Sequence, residues 1–200
     1  MSENPTPRGD GAAPRRATPA AVKLFVALGL GFALYQAVMF GVRLWVDHRI
    51  ARTEGAALVE FSLGDLEGRT WRAGELRGRY LVLHFFRSRC EVCLAEKPTL
   101  LELERRLDPA RVQLLSVLLD RVQGYDAELS ARTLAAMGLN HPVLWADAAF
   151  VDAFHGAGWA HVTPVTYVID EQGRIVHALR GKQSFAALEA SLPAGALRPR

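Results

Sequence analysis

Only two residues in this 200-residue chain carry a thiol, Cys90 and Cys93, and they stand in a Cys-x-x-Cys spacing. Such a pair serves as a redox dithiol, as half of a zinc site, or as nothing at all. Three features favour redox chemistry. An apolar, β-rich run (residues 80–86) precedes the pair, a segment of helical periodicity follows it, and no second cysteine pair exists to complete a four-thiolate metal site. A thiol at the mouth of a helix is stabilised as thiolate by backbone N–H groups and the helix dipole, with the second thiol about one turn on. Cys90 is therefore expected to be the exposed nucleophile and Cys93 the less exposed resolving thiol. Arg89 and Glu91 flank Cys90 with opposite charges. One pKa unit is worth about 1.4 kcal/mol, so either neighbour tunes the thiol without settling its state. No metal and no cofactor is expected beyond the redox-active Cys90–Cys93 disulfide itself.

The elements that must position these thiols are readable from periodicity. Residues 80–86 suit a central strand covered on both faces, and residues 112–119 a second buried strand. From Cys90 to Leu107 a helical stripe runs through Leu94, Leu100, Leu101, Leu103 and Leu107, with Pro98 predicting a kink. Residues 126–137 read as a helix stopped by Gly138, residues 143–144 as a short strand, and residues 148–155 as a helical turn. Residues 165–170 and 174–179 form a strand pair around Glu171, Gln172 and Gly173, and 184–192 a last helix capped by Ser184. Ahead of these, residues 58–63 and the turn at 65–68 suggest a short hairpin, with a second turn at 77–79. His84 lies within the 80–86 strand and is expected to be a packed, hydrogen-bonded core residue. Trp71, Trp145 and Trp159 are expected to pack.

The front of the chain differs in kind. Residues 1–21, rich in Pro, Gly, Ala and Arg, read as a disordered tail. Residues 24–42 contain no charge, and nineteen residues at 1.5 Å each give about 28 Å, close to the bilayer core of about 30 Å. A cleavable signal peptide is the main competitor, but its apolar core is shorter and a small-x-small site follows it directly. The nearest such pattern, Gly55 to Ala57, lies too far downstream. Residues 22–46 are accordingly expected to be an uncleaved transmembrane anchor, with Trp45 at the interface, 47–57 a linker, 58–193 the globular domain and 194–200 a C-terminal tail. Four basic residues before the span (Arg8, Arg15, Arg16, Lys23) against three after it (Arg43, Arg49, Arg52) place the tail in the cytoplasm. A cycling thiol pair also suits an exported domain. The net charge of +3 comes entirely from residues 1–54, which leaves the globular part neutral and excludes a nucleic-acid footprint there.

From about Val59 to Leu192 the ordered motifs resemble the thioredoxin superfamily, in particular membrane-anchored thiol-disulfide oxidoreductases of the TlpA/ResA/CcmG type. The resemblance rests on the Phe61-x-Leu63-x-Asp65-x-x-Gly68 entry segment and Leu76-Arg-Gly78 before the central strand. It continues through Cys90-x-x-Cys93 with Glu96 and Pro98 behind, and the Val162-Thr-Pro-Val-Thr-Tyr-Val-Ile-Asp-Glu-Gln-Gly173 run. It implies an α/β thioredoxin-like fold, a central mixed sheet flanked by helices with an N-terminal β-hairpin, preceded by a single transmembrane helix. It further implies a cis peptide bond before Pro164, with Thr163 and Pro164 beside the thiols as substrate-binding residues. Glu96, three residues after Cys93 on the same helix face, is implied as a carboxylate near the active-site cavity, able to exchange a proton with the Cys93 thiol; a solvated helix glutamate is the alternative. Arg89 stands where the family usually has tryptophan, and Val92 where it often has proline, which bears on redox tuning and the partner surface.

The function this implies is disulfide exchange with protein substrates that carry thiols or disulfides. The direction is reductive, as in cytochrome c maturation, and electrons come from a membrane thiol reductant (or leave to an oxidant donor). The anchor would sit in the inner-membrane lipid with the catalytic domain in the periplasm or otherwise outside the cytoplasm. The alternative is a thioredoxin-fold copper-binding assembly factor using both cysteines and His155 or His161, although its usual C-x-x-x-C spacing is missing. The Pro-x-x-x-Thr-x-x-Cys context of a peroxidatic cysteine is also absent.

Overall fold

The computed structural model describes residues 20–152 and 162–198. Clustering of contacts divides the chain between Trp45 and Val46 into two units. The first consists of most of helix α1 (Ala20–Ala51). Its side chains from 20 to 45 are all exposed, Phe25, Phe32, Leu34 and Phe40 among them. The helix is long and apolar enough to cross a membrane, and it is apolar on every side, as a segment surrounded by lipid must be. It begins two residues before the expected anchor and runs five residues beyond it.

The second unit is built on a five-stranded sheet in the order β5-β4-β3-β6-β7. Strand β3 (Tyr80–Phe86) is central, parallel to β4 (Val112–Leu118) and antiparallel to β6 (Val165–Ile169). β5 (Val143–Trp145) continues the parallel half, and β7 (Ile175–Arg180) the antiparallel half. Every residue of β3 except Tyr80 is buried, which is why it shows no alternation in sequence. One face, with Leu81, Leu83, Phe85, Leu115, Val117, Val165 and Tyr167, packs against Leu63, Trp71 and Phe150. Leu63 and Trp71 come from the two-stranded hairpin β1 (Ser62–Gly64) and β2 (Thr70–Arg72). The Asp65 carboxylate closes that hairpin, accepting from Glu67 N, Arg69 N and Trp71 Nε1.

The opposite face is covered by α2 (Glu91–Arg106), α3 (Ala127–Met137) and α5 (Phe185–Ala190). Helix α2 returns the chain from β3 to β4 and carries the cysteines. Its buried face is Cys93, Glu96, Leu100 and Leu103, whereas Leu94, expected in the stripe, is 43% exposed. Leu100, Leu103 and Leu107 of the expected stripe are buried, and Glu96 rather than Leu94 fills the turn before them. Pro98 is within the helix. Asp126 caps the start of α3, and Gly138 (φ 54°) ends it in the left-handed conformation, its N–H reaching Leu134 O at 2.9 Å. A three-residue helix, α4 (Ala148–Phe150), follows β5.

Two segments read as linker and tail are tied to the domain. Gly55 N donates to Ile175 O, Leu58 N to Gly173 O and Ile175 N to Ala56 O, Glu54 accepts from Ala178 N, and Asp47 pairs with Arg180. At the other end, Asp108 N donates to Ala196 O and Arg198 N to Arg106 O, with Ala196 buried. Leu103, fully buried between α2 and the sheet, gives a test of this layer. Leu103→Ala is expected to cost about 2–5 kcal/mol, measured as loss of thermal stability of the full chain in detergent.

Candidate active site

Cys90 is the N-cap of α2, with extended backbone (φ −119°, ψ 93°), and its Sγ accepts from Cys93 N at 3.1 Å. The two cysteines are joined in a disulfide, S–S 2.03 Å, so Cys90 Sγ marks the place its thiolate takes after reduction. The same backbone N–H and the helix dipole that meet it here would hold that thiolate. Across from it the Thr163–Pro164 bond is cis. Thr163 Oγ1 donates to Cys90 Sγ at 3.5 Å, and the Thr163 carbonyl oxygen is 3.8 Å from the same sulfur. In the disulfide that second approach is a contact only; a Cys90 thiol could donate there. Cys93 is 1% exposed and Cys90 7%. The expected order holds, but Cys90 is not the open thiol foreseen, because the Thr163–Pro164 segment closes on it.

Glu96 is fully buried. One carboxyl oxygen accepts from Gln183 N at 2.8 Å, and the other meets no partner. Burial pushes its pKa up to about 7, against smaller lowering effects of the Gln183 N–H and the Lys182 charge. It is therefore not a solvated helix glutamate. It shares the buried face of α2 with Cys93, one turn away.

Arg89 is exposed and has a left-handed backbone (φ 55°), unusual for a residue with a Cβ and costing about 1–2 kcal/mol. Its guanidinium stands over the Tyr125 ring at 5.6 Å rather than on the sulfur. Arg87 Nη1 donates to Ser88 O and to Tyr125 Oη, each at 3.1 Å.

The sequence gives no notice of what secures this turn. Asp120, just past β4 and fully buried, accepts from Ser88 N (2.7 Å), Ser88 Oγ (2.5 Å) and Ser130 Oγ (2.8 Å). Thr133 Oγ1 is 2.6 Å from Ser88 Oγ. An aspartate directly behind an apolar strand run is a usable signal, but its partner lies 32 residues earlier. His84 is buried as expected. Nδ1 bonds Thr166 Oγ1 at 3.0 Å, Nε2 has no partner, and burial first, then the positive potential of His141, lower its pKa to about 3. His141, not singled out in sequence, bridges Ser116 Oγ (2.8 Å) and Glu104 (2.9 Å). His155, His161 and Trp159 lie outside the described residues. Among the described residues, no three His, Cys, Asp or Glu side chains are grouped to hold a metal ion.

Fold and dithiol together define a thioredoxin-like protein with a two-cysteine redox centre. The pattern of the AhpC/TSA family matches residues 55–178, and the chain belongs to that family. Among curated relatives, the thiol-disulfide oxidoreductase ResA of Bacillus subtilis is 24% identical over 162 residues, 80% of this chain and 82% of that protein. ResA of Halalkalibacterium halodurans is 27% identical over 165 residues, 82% and 85% of the two chains. Among solved structures, a putative thiol:disulfide interchange protein DsbE from Chlorobium tepidum superposes with a TM-score of 0.58 at 19% identity, over 69% of this chain and 94% of that one. StoA from Bacillus subtilis gives 0.54 at 20% identity, over 68% and 98%. These structural likenesses establish the fold.

Asp120→Ala removes three hydrogen bonds and leaves the buried Ser88 N–H without its acceptor. It is expected to cost about 3 kcal/mol and Asp120→Asn, which keeps one acceptor oxygen, roughly half of that, both read from urea unfolding.

Proposed function

We propose that this chain is a membrane-tethered thiol-disulfide oxidoreductase that reduces disulfides in protein clients. The observation that carries this is the Cys90 sulfur, set at the N-terminus of α2 and met by Cys93 N on one side and the Thr163 hydroxyl on the other. No bound cofactor is needed, since electrons enter and leave through the Cys90–Cys93 pair. The exposed helix 20–45 fits a lipid anchor. The charge balance around it and a thiol pair that cycles through a disulfide support a catalytic domain outside the cytoplasm, on the inner membrane.

The cycle starts from the dithiol. The Cys90 thiolate attacks one sulfur of a client disulfide, and the other client sulfur leaves as a thiolate and takes up a proton. A mixed disulfide now joins Cys90 to the client. The Cys93 thiol gives its proton to the Glu96 carboxylate and attacks Cys90 Sγ, and the second client thiolate leaves and takes that proton from Glu96. The client has gained two electrons and two protons, and the protein is left in the disulfide form seen here. A dithiol donor at the membrane then reverses these steps. An ordinary thiol titrates near 8.5, so transfer to a carboxylate at about 7 is uphill by roughly 2 kcal/mol. That is a small part of an enzymatic barrier. A fully solvated carboxylate near 4.3 would face nearly three times that, about 6 kcal/mol.

Cys93→Ala leaves the mixed disulfide without a resolving thiol. In cells it is expected to accumulate clients attached to Cys90, seen as adducts that collapse on reduction. Absence of any adduct, with no insulin-disulfide reduction by the purified full chain, overturns the proposal. Glu96→Gln removes the proton acceptor, so the limb of the wild-type rate profile that rises through pH about 7 is expected to flatten. The same substitution has a signed effect on stability. A carboxyl raised on folding binds its proton more tightly in the native state, so its stabilising contribution is complete below pH about 4.5 and is lost as pH rises to about 7. Wild-type stability is expected to fall by about 3 kcal/mol across that interval, and that of Glu96→Gln to stay level.

A further inference from the structure

Strands β5, β4 and β3 end side by side, and the residues just past them form a row that leads to the disulfide. β5 ends on Trp145, the chain after β4 supplies Arg121 and Tyr125, and the chain after β3 supplies Arg87, Arg89 and Cys90. The row is held together by Leu119 N donating to Phe86 O at 3.0 Å and by Asp120 on Ser88. Its three guanidinium groups are each braced on an aromatic side chain. Arg121 lies over Trp145 at 4.1 Å, Arg89 over Tyr125 at 5.6 Å, and Arg87 bonds the Tyr125 hydroxyl at 3.1 Å. None of them is in the ion pairs among the described residues, and Arg87 Nε is buried with no partner at all.

The nearby acids do not pair with them. Asp120 is buried and saturated by Ser88 and Ser130. The Asp126 and Asp147 carboxylates each accept a backbone N–H at a helix start, Leu129 N and Phe150 N. Glu91 is exposed beside Cys90, and Asp126 and Asp147 are exposed farther along. A recess of about 400 Å³ opens at the far end of the row, with Arg121, Trp145, Ser62 and Asp147 in its wall.

Three like charges that form no ion pair repel one another, and the ring contacts of Arg121 and Arg89 and the hydroxyl bond of Arg87 hold the groups in place, so less freedom is lost when an anion arrives. We propose that this row is the client-docking track, selecting segments that carry Asp or Glu beside the cysteine that reacts with Cys90. The proposal rests on the exchange activity above and names its substrate class. Charges at a rim act mainly on encounter rate and on discrimination between partners.

The test is single-turnover reduction by the pre-reduced full chain in detergent, using matched peptide disulfides whose cysteines are flanked by Asp, Asn or Lys. The Asp peptide is expected to react about tenfold faster than the Asn peptide, and the Lys peptide slower than both. The ratio should fall toward one at about 1 M salt, where screening acts within about 3 Å. Arg89→Gln and Arg121→Gln are each expected to lower the Asp-to-Asn ratio about threefold, and Glu91→Gln to raise it. Taking the ratio within each variant removes any change in Cys90 reactivity. Equal rates for the three peptides, or an acidic preference that survives in the Arg89→Gln/Arg121→Gln double variant, overturn the docking track while leaving the exchange activity intact. Failure to reduce any peptide defeats both.

Discussion

The Asp120 carboxylate holds the turn on which the chemistry is built. Ser88 is two residues ahead of Cys90, in a tight passage from β3 to α2 where Arg89 takes a left-handed backbone. Such a turn stays in place only if something stronger than its own preference fixes it. A buried carboxylate that accepts both the Ser88 N–H and the Ser88 hydroxyl, and is fastened to α3 through Ser130, does so. Hydrogen bonds to an ionised acceptor are worth about 1.5–3 kcal/mol each, enough to offset the Arg89 conformation. With the turn fixed, Cys90 falls at the N-cap and its sulfur meets Cys93 N. Without it, the helix would still form but its first residue would wander.

A second constraint acts from beneath. The face of α2 that covers the sheet includes Glu96 between Cys93 and Leu100, opposite a strand that carries His84. Both side chains are fully buried and each leaves one polar atom without a partner, Glu96 Oε2 and His84 Nε2. Burial drives both toward their neutral forms, as it must where solvation of a charge is lost. A core of leucines at these positions would be more stable and chemically inert. The carboxyl keeps a proton within one helical turn of the resolving cysteine and releases it near neutral pH.

Strand β3, helix α3 with its Asp126 and Gly138 ends, and the β6–β7 pair were legible because each is written in local patterns of apolar spacing and caps. The dithiol was legible too, since its spacing, its preceding strand and its following helix all point the same way. The first turns of α2 were not, because a buried glutamate, Glu96, takes the place that apolar periodicity assigns to Leu94. Nor was the low exposure of Cys90, which depends on Thr163, seventy-three residues away. The attachments of residues 54–58 and 196–198 run through backbone atoms, which leave no side-chain signature. Asp120 shows the same limit from the other side, a residue of ordinary type whose role comes from partners in a distant turn and on a helix.

Those backbone attachments also govern how neighbouring copies can meet. At the start of β7 the outer groups of Ile175 are taken by Gly55 and Ala56, and along β5 Leu66 N donates to Val143 O while Asp65 bridges Leu144. An unpaired strand at either flank would invite stacking into ribbons. Here each flank is partly occupied by the chain's own backbone, which leaves a second copy fewer groups to pair with.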